Sequence, residues 1–442
     1  MYFQKVPITL NSMLKLAVGS ILFIVLVFSA AYFTTTKSVI YRNDLPNEVK
    51  EVLHNVVGNE DQRAVVNHIP LPDQVKAIYM SACVVGTNDF RERLVKLVRE
   101  TEVNSLVIDI KDFSGSISFN PENESWQYAW EEATCGARDM KEFISYLHEE
   151  DIFVIGRITV FQDPIYTRMY PEEAVKKADR TSVWQDYKGL SFIDVGSHKY
   201  WDHLVELARA SYNIGFDELN FDYVRYPSDG PMNDISFVLS ERGKYGTDMQ
   251  ANLEAFFAYL HDKLSNPEFF ADVIHTNTGR EKTVPYISAD LFGMTTTNTD
   301  DLSIGQVIER ASPYFDFIAP MVYPSHYPKS FLGLGNPNDH PYKVVHYAME
   351  SGVARMLATT TVVSGFRHER IGTSTPAVYK KPAWTARKLR TWIQDFDYGG
   401  DYDAADVRAQ IKASYDADVH DWMIWAPSNI YTREALENAT TS

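Results

Sequence analysis

The chain has 442 residues, 45% of them apolar and 13% aromatic, with a formal net charge of −17. That length supports one large domain or two ordinary ones, and the acidic balance excludes a general binder of nucleic-acid backbones, which needs a basic surface. The two cysteines, Cys83 and Cys135, exclude a disulfide-dense scaffold and a cysteine-built zinc cluster, and leave room for one disulfide.

In chain order the first feature is Leu16 to Phe33, an uncharged apolar run preceded by Lys5 and Lys15. Its length suits a membrane-spanning helix. Residues 1–35 are therefore expected to be a cytoplasmic stub and membrane anchor, with the large domain outside the cytoplasm. Cleavage near Ser29-Ala30-Ala31, giving a secreted protein, is the alternative. Residues 36–74 are polar without clear period and read as a linker, with some helix around Glu48 to Val57.

From Val75 onward, short apolar runs alternate with amphipathic stretches. The runs are VKAIYMSA (75–82), SLVIDIKDF (105–113), FVIGRITVF (153–161), ELNFDYVRYP (218–227), VPYISADLFG (284–293), FDFIAPMVYP (315–324), LRTWIQDF (389–396) and DWMIWAPSN (421–429). Helical spacing is predicted over 89–101, 139–150, 199–214, 249–264, 304–312, 341–357 and 403–416. Eight such units predict an α/β fold, a (β/α)8 TIM barrel over residues 75–432, with a C-terminal tail at 433–442. A doubly wound sheet would announce a glycine-rich dinucleotide turn, and GLGNP at Gly333 lacks the spacing for one. The connection from strand six to strand seven, Ser325 to Lys388, is too long for one helix. It is expected to pass over the barrel mouth with a hairpin near Thr359 to Phe366.

Alternate residues of a strand share a face, and the carboxyl ends of barrel strands carry the chemistry. Taking the apolar partners as helix-facing turns Asp109 and Lys111, Arg157 and Thr159, Asn220 and Asp222, and Tyr286, Ser288 and Asp290 inward. Met321 and Tyr323 share one side of strand six, Trp392 and Gln394 of strand seven, and Met423 and Trp425 of strand eight. The expected mouth is lined by Lys111, Arg157, Asp222, Asp290, Tyr323, Gln394 and Trp425. Branched apolar residues would fill a purely structural lumen, so converging polar groups point to a site.

Two inward carboxylates on adjacent strands suit glycosidic cleavage, with one as acid and the other attacking the sugar or activating water. Arg225 and Arg157 are candidate neighbours that would keep Asp222 ionised, which assigns Asp222 as nucleophile or charge stabiliser and Asp290 as general acid. Trp425 and Tyr323 offer stacking surfaces. Asp109, Lys111, Arg157, Arg225, Tyr323, His326, Gln394 and Trp425 are the expected substrate-binding residues. Structural alternatives stand beside them: Asp109 with Lys111 or Arg157 as a lumen ion pair, Arg225 tying down its own loop, Trp425 as core, and His326 as a helix cap. No metal site is expected, since there is no H-E-x-x-H and no H-x-H at a strand end; no cofactor is expected, and no serine elbow of the G-x-S-x-G type is present. A carboxylate-only site at Asp109, Asp222 and Asp290 would be the basis of a metal-dependent hydrolase.

The ordered stretches VNSLVIDIKDFSGSISF (103–119), GRITVFQDP (156–164), VWQDYKGLSFIDV (183–195), GFDELNFDYVRYPSDG (215–230), ISADLFGM (287–294), IGQVIERASPYFDFIAPMVYPSHY (304–327), WIQDF (392–396) and WMIWAPSN (422–429) carry a family resemblance. Across roughly residues 75–432 the chain resembles a glycoside hydrolase domain family, a TIM-barrel group long catalogued as a domain of unknown function. That family is more distantly similar to alpha-amylase-like and alpha-galactosidase-like barrels. The resemblance implies that the strand-four acid, Asp222, is the nucleophile. It also implies that the acid after strand five, Asp290, is the proton donor, with Asp standing where amylase-like enzymes use Glu. The expected partner is a polysaccharide or cell-envelope glycan, with the membrane reached through the N-terminal helix. A non-catalytic glycan-binding barrel is the alternative of a different class.

Overall fold

Eight parallel strands close on themselves in a computed structural model that describes residues 63–276 and 279–439. They are β1 (Lys76–Met80), β2 (Ser105–Lys111), β3 (Phe153–Thr159), β4 (Glu218–Asp222), β5 (Tyr286–Phe292), β6 (Phe317–Met321), β7 (Thr391–Gln394) and β8 (Trp422–Trp425). Each pairs with the next in chain order, β8 pairs with β1, and no edge is left open. The helices α1 (Asn88–Glu100), α2 (Met140–Glu149), α3 (His198–Tyr212), α4 (Met249–Leu264), α5 (Ile308–Ala311), α6 (Pro341–Leu357) and α7 (Ala404–Asp416) follow the first seven strands in turn. This is the expected (β/α)8 barrel. The anchor at 16–33, and the 36–62 part of the linker, lie outside the described residues. Among the described residues no helix is long and apolar enough to cross a membrane.

Local chemistry fixes the helix starts. Ser197, Asp248 and Asp403 cap α3, α4 and α7 through their side chains, and Asp403 forms a capping box with Asp406. The helix predicted at 304–312 shrinks to the single turn of α5. Leu302, Ser303 and Gly305 ahead of it take positive φ, which no helix propagates.

The alternation divides the barrel into two apolar layers. Ile78, Ile108, Leu219, Phe221, Ile287 and Ile393 pack outward with the helices. Tyr79, Val107, Ile155, Tyr286, Trp392 and Met423 fill the lumen. At about 25 cal/mol per Å2, burying large side chains on both faces is the main favourable contribution to the fold.

Three segments depart from the expectation. Val65–Asn67, inside the stretch read as linker, forms a strand parallel to Ile274–Thr276. The strand-six-to-seven excursion carries, beyond α6, a three-stranded antiparallel sheet, with Glu369–Ile371 paired to Val378–Lys380 and the latter to Thr360–Thr361. The sheet's segment packs on the outside of the barrel rather than over its mouth. The Phe366 N–H donates to Glu254 of α4, and Arg310 of α5 donates to Ser364. The tail also packs on the barrel, with Leu436 buried and Asn438 bridged to Thr101.

Candidate active site

The carboxyl ends of β2, β3 and β4 bring one guanidinium between two carboxylates. Arg157 donates from Nη1 to Asp109 Oδ1 at 2.7 Å, and from Nε and Nη2 to Asp222 Oδ2 at 3.1 and 2.5 Å. The β3–β4 register explains the reach, because Arg157 lies beside Asn220 and Thr159 beside Asp222. Asp222 Oδ1 accepts the Tyr223 N–H at 2.6 Å. Tyr223 takes φ 51°, so the strand stops at Asp222 and the loop begins.

Asp290 sits on the next strand over. Phe221 pairs with Ala289, which places Asp222 and Asp290 one position further along neighbouring strands about 4.8 Å apart. Asp290 Oδ1 accepts from Asn220 Nδ2 at 2.9 Å and from Trp392 Nε1 at 2.8 Å. Burial, and then the charge of Asp222, push the Asp290 carboxyl well above the usual carboxylate range. Burial also pushes Asp109 up to about 6, against opposing bonds from Arg157 and Tyr79. Burial opposes the charge of Arg157, but Asp222 and Asp109 more than offset it.

Aromatic rings enclose this group. Tyr79 donates its hydroxyl to Asp109. Trp425 stacks on Tyr79 at 4.1 Å, and Arg157 lies 5.1 Å from the Trp425 ring. Tyr323 is buried beside Asp290 and Asp222, and burial raises its hydroxyl far above its usual range. Above them opens a cleft of about 820 Å3 with Trp425 and His326 in its walls, together with Lys188, Phe396, Tyr398 and Ile430. The carboxyls do not line this cleft, and Asp222 is 4% and Asp290 1% exposed.

Asp109, Arg157, Asp222, Asp290, Tyr323 and Trp425 thus converge, and His326 joins them at the cleft wall. Three predicted residues do not. The register between β2 and β3 shifts after Asp109, pairing Lys111 with the outward Ile158. Lys111 therefore leaves the lumen and is buried on Asp163 at 3.0 Å and on the carbonyls of Thr159 and Gln162. Arg225 does not reach Asp222. It donates to Ser228 at 2.8 Å and lies over the Tyr223 ring, which matches the alternative of a residue tying down its own loop. Gln394 is buried and committed, accepting from Ser325 and donating to the Phe396 carbonyl.

Sequence reasoning passed over three contributors. Asn220 and Trp392 have the inward parity, but each lies one inward step below the expected mouth residue of its strand, Asp222 and Gln394. Tyr79 has the parity of the buried Ala77 and reads as core. Cys83 and Cys135 form the one disulfide the sequence allowed. Among the described residues no group of three or more His, Cys, Asp or Glu side chains is placed to hold a metal ion.

Solved structures similar to this chain include three from bacteria. A hypothetical protein from Ruminiclostridium thermocellum ATCC 27405 is 28% identical, with a TM-score of 0.37 over 45% of this chain and 96% of its own. The PgaB (BpsB) glycoside hydrolase domain from Bordetella bronchiseptica is 11% identical, with a TM-score of 0.50 over 85% of this chain and 99% of its own, a likeness of fold alone. An alpha-galactosidase from Thermus thermophilus is 11% identical, with a TM-score of 0.44 over 82% of this chain and 60% of its own. No curated protein sequence matches. A family profile matches residues 77–431, from β1 to the loop beyond β8, and by that match the chain belongs to the family described as "Putative glycosyl hydrolase domain".

Proposed function

We propose that the protein hydrolyses glycosidic bonds in a polysaccharide or cell-envelope glycan, with Asp222 as nucleophile and Asp290 as general acid. One observation carries the reading. Asp290 is buried where its proton is held, beside an Asp222 whose charge Arg157 compensates. In the first step the Asp290 proton passes to the glycosidic oxygen as the bond to the anomeric carbon breaks. Asp222 forms an ester to that carbon. Water then attacks the ester, gives its proton to Asp290 and releases the sugar from Asp222. This two-step route suits carboxyls about 5–5.5 Å apart, and Asp222 and Asp290 stand on neighbouring strands. Trp425 is the stacking surface nearest the acids, and the cleft above receives the rest of the chain.

The domain is proposed to work outside the cytoplasm, tethered by residues 16–33. The Cys83–Cys135 disulfide supports an oxidising compartment.

The experiment is a screen of the protein against polysaccharides, reading new reducing ends, with Asp222→Asn and Asp290→Asn alongside. Each variant should lose at least 100-fold of the activity, and NMR should show retained anomeric configuration. Equal cleavage by Asp222→Asn would refute the assignment. The near closure of both carboxyls favours a second reading, a non-catalytic glycan-binding barrel. It predicts retention on glycan columns with no reducing ends released.

A further inference from the structure

Below the acid pair, a chain of hydrogen bonds runs down the lumen with a fixed polarity. Arg390 Nη1 donates to Glu218 Oε1 at 2.7 Å, and the Ser288 hydroxyl donates to the same oxygen at 2.6 Å. A hydroxyl has one proton, so Ser288 can only accept from its other neighbour, Asn220 Nδ2, at 2.9 Å. That fixes the orientation of the Asn220 amide, whose NH2 group then also faces Asp290 Oδ1. Trp392, an obligate donor, points its Nε1–H at the same oxygen. Among the described residues no donor reaches Asp290 Oδ2.

We infer that Glu218, Ser288, Asn220 and Trp392 are positioning residues that make Asp290 Oδ1 an obligate acceptor and thereby confine the acid proton to Oδ2. Arg390 keeps Glu218 an acceptor, and each link passes the same direction upward. When the Oδ2 proton moves to a leaving oxygen, Asp290 becomes a carboxylate. Its new charge meets two N–H groups already in place, so no side chain must rotate during the step. This inference rests on the reading of Asp290 as the acid.

The test is infrared difference spectroscopy of the full chain at neutral pH, reading the C=O stretch of the protonated carboxyl. Asp290→Asn assigns the band as the one that disappears. Trp392→Phe removes one donor from the carbonyl oxygen, and Ser288→Ala frees the Asn220 amide to turn. With the proton on Oδ2, Oδ1 is the C=O oxygen, and losing a donor shifts the Asp290 band to higher frequency in both variants. A donor that only supported packing would leave the frequency unchanged. A band at the wild-type frequency in both variants would overturn the inference while leaving Asp290 an acid. A wild-type spectrum with no band lost in Asp290→Asn would overturn the acid assignment and the inference together.

Discussion

Asp109→Asn is expected to flatten the dependence of stability on pH between about 4 and 6. Asp109 is 2% exposed, and burial raises its carboxyl from 3.8 to about 6 although Arg157 and Tyr79 both donate to it. A carboxyl that ionises less readily folded than unfolded favours folding while it is protonated. Its contribution is complete below pH 3.8 and is lost as the pH rises through 6. The shift is about two pH units, worth about 3 kcal/mol at 1.4 kcal/mol per unit. The wild type should therefore lose about 3 kcal/mol more stability than Asp109→Asn between pH 3.5 and 7. Urea unfolding followed by tryptophan fluorescence at half-unit steps measures this, with constant m-values confirming that the folded states stay alike. The slopes are compared rather than the absolute values, because removing a partner of Arg157 changes stability at every pH. Parallel curves for the two proteins would refute the claim that Asp109 takes up a proton in this range.

Replacing Cys83 and Cys135 with alanine opens a 52-residue loop and should cost about 4 kcal/mol by chain entropy, read as a lowered urea midpoint that added reductant reproduces in the wild type. Lys111→Met leaves the buried Asp163 without its cation and should cost about 3–5 kcal/mol in the same assay, with glycan binding unchanged. Asp217 lies at the opposite end of β4 from Asp222; burial would raise it, but His148 and His68 draw it down to about 2. Asp217→Asn should cost about 3–5 kcal/mol at neutral pH. The stabilisation from a lowered carboxyl is complete above 3.8 and lost as the pH falls through 2, so the gap to wild type should narrow by about 2 kcal/mol between pH 5 and 2.

Period-two alternation carried much of the site. Asp109 and Asp290 were readable as inward because each lies between helix-facing apolar residues, Arg157 because it precedes Ile158 and Asp222 because it follows Phe221, whose burial leaves one orientation for the strand. Lys111 obeys the same alternation in sequence, and only the register shift after Asp109 turns it outward. A shift of that kind depends on the neighbouring strand, so nothing within SLVIDIKDF could reveal it. Arg225 was misplaced for a related reason: the run ELNFDYVRYP continues apolar past the point where Tyr223 turns left-handed. The pairing of Val65–Asn67 with Ile274–Thr276 joins segments about 200 residues apart, and a three-residue strand has no period to read.

Charge balance explains why the displacement of Lys111 matters to the chemistry. Asp109, Asp222 and Asp290 cluster around one cation, Arg157, whose bonds go to Asp109 and Asp222, while Arg390, deeper in the lumen, is paired with Glu218. Full ionisation would leave two uncompensated negative charges where water barely enters, and close like charges in a desolvated site resist joint ionisation. Protons restore the balance. Asp290, which Arg157 does not bond, holds one well above the usual range, and Asp109 takes the next near 6. A second cation beside the three carboxyls would have weakened that hold. On the proposed reading of Asp290 as the acid, a lysine left inward at the end of β2 would have favoured a third carboxylate at neutral pH. The register shift that sends Lys111 to Asp163 therefore does more than bury a lysine. It leaves Arg157 alone among three carboxyls, and that imbalance adds to burial in holding a proton on Asp290.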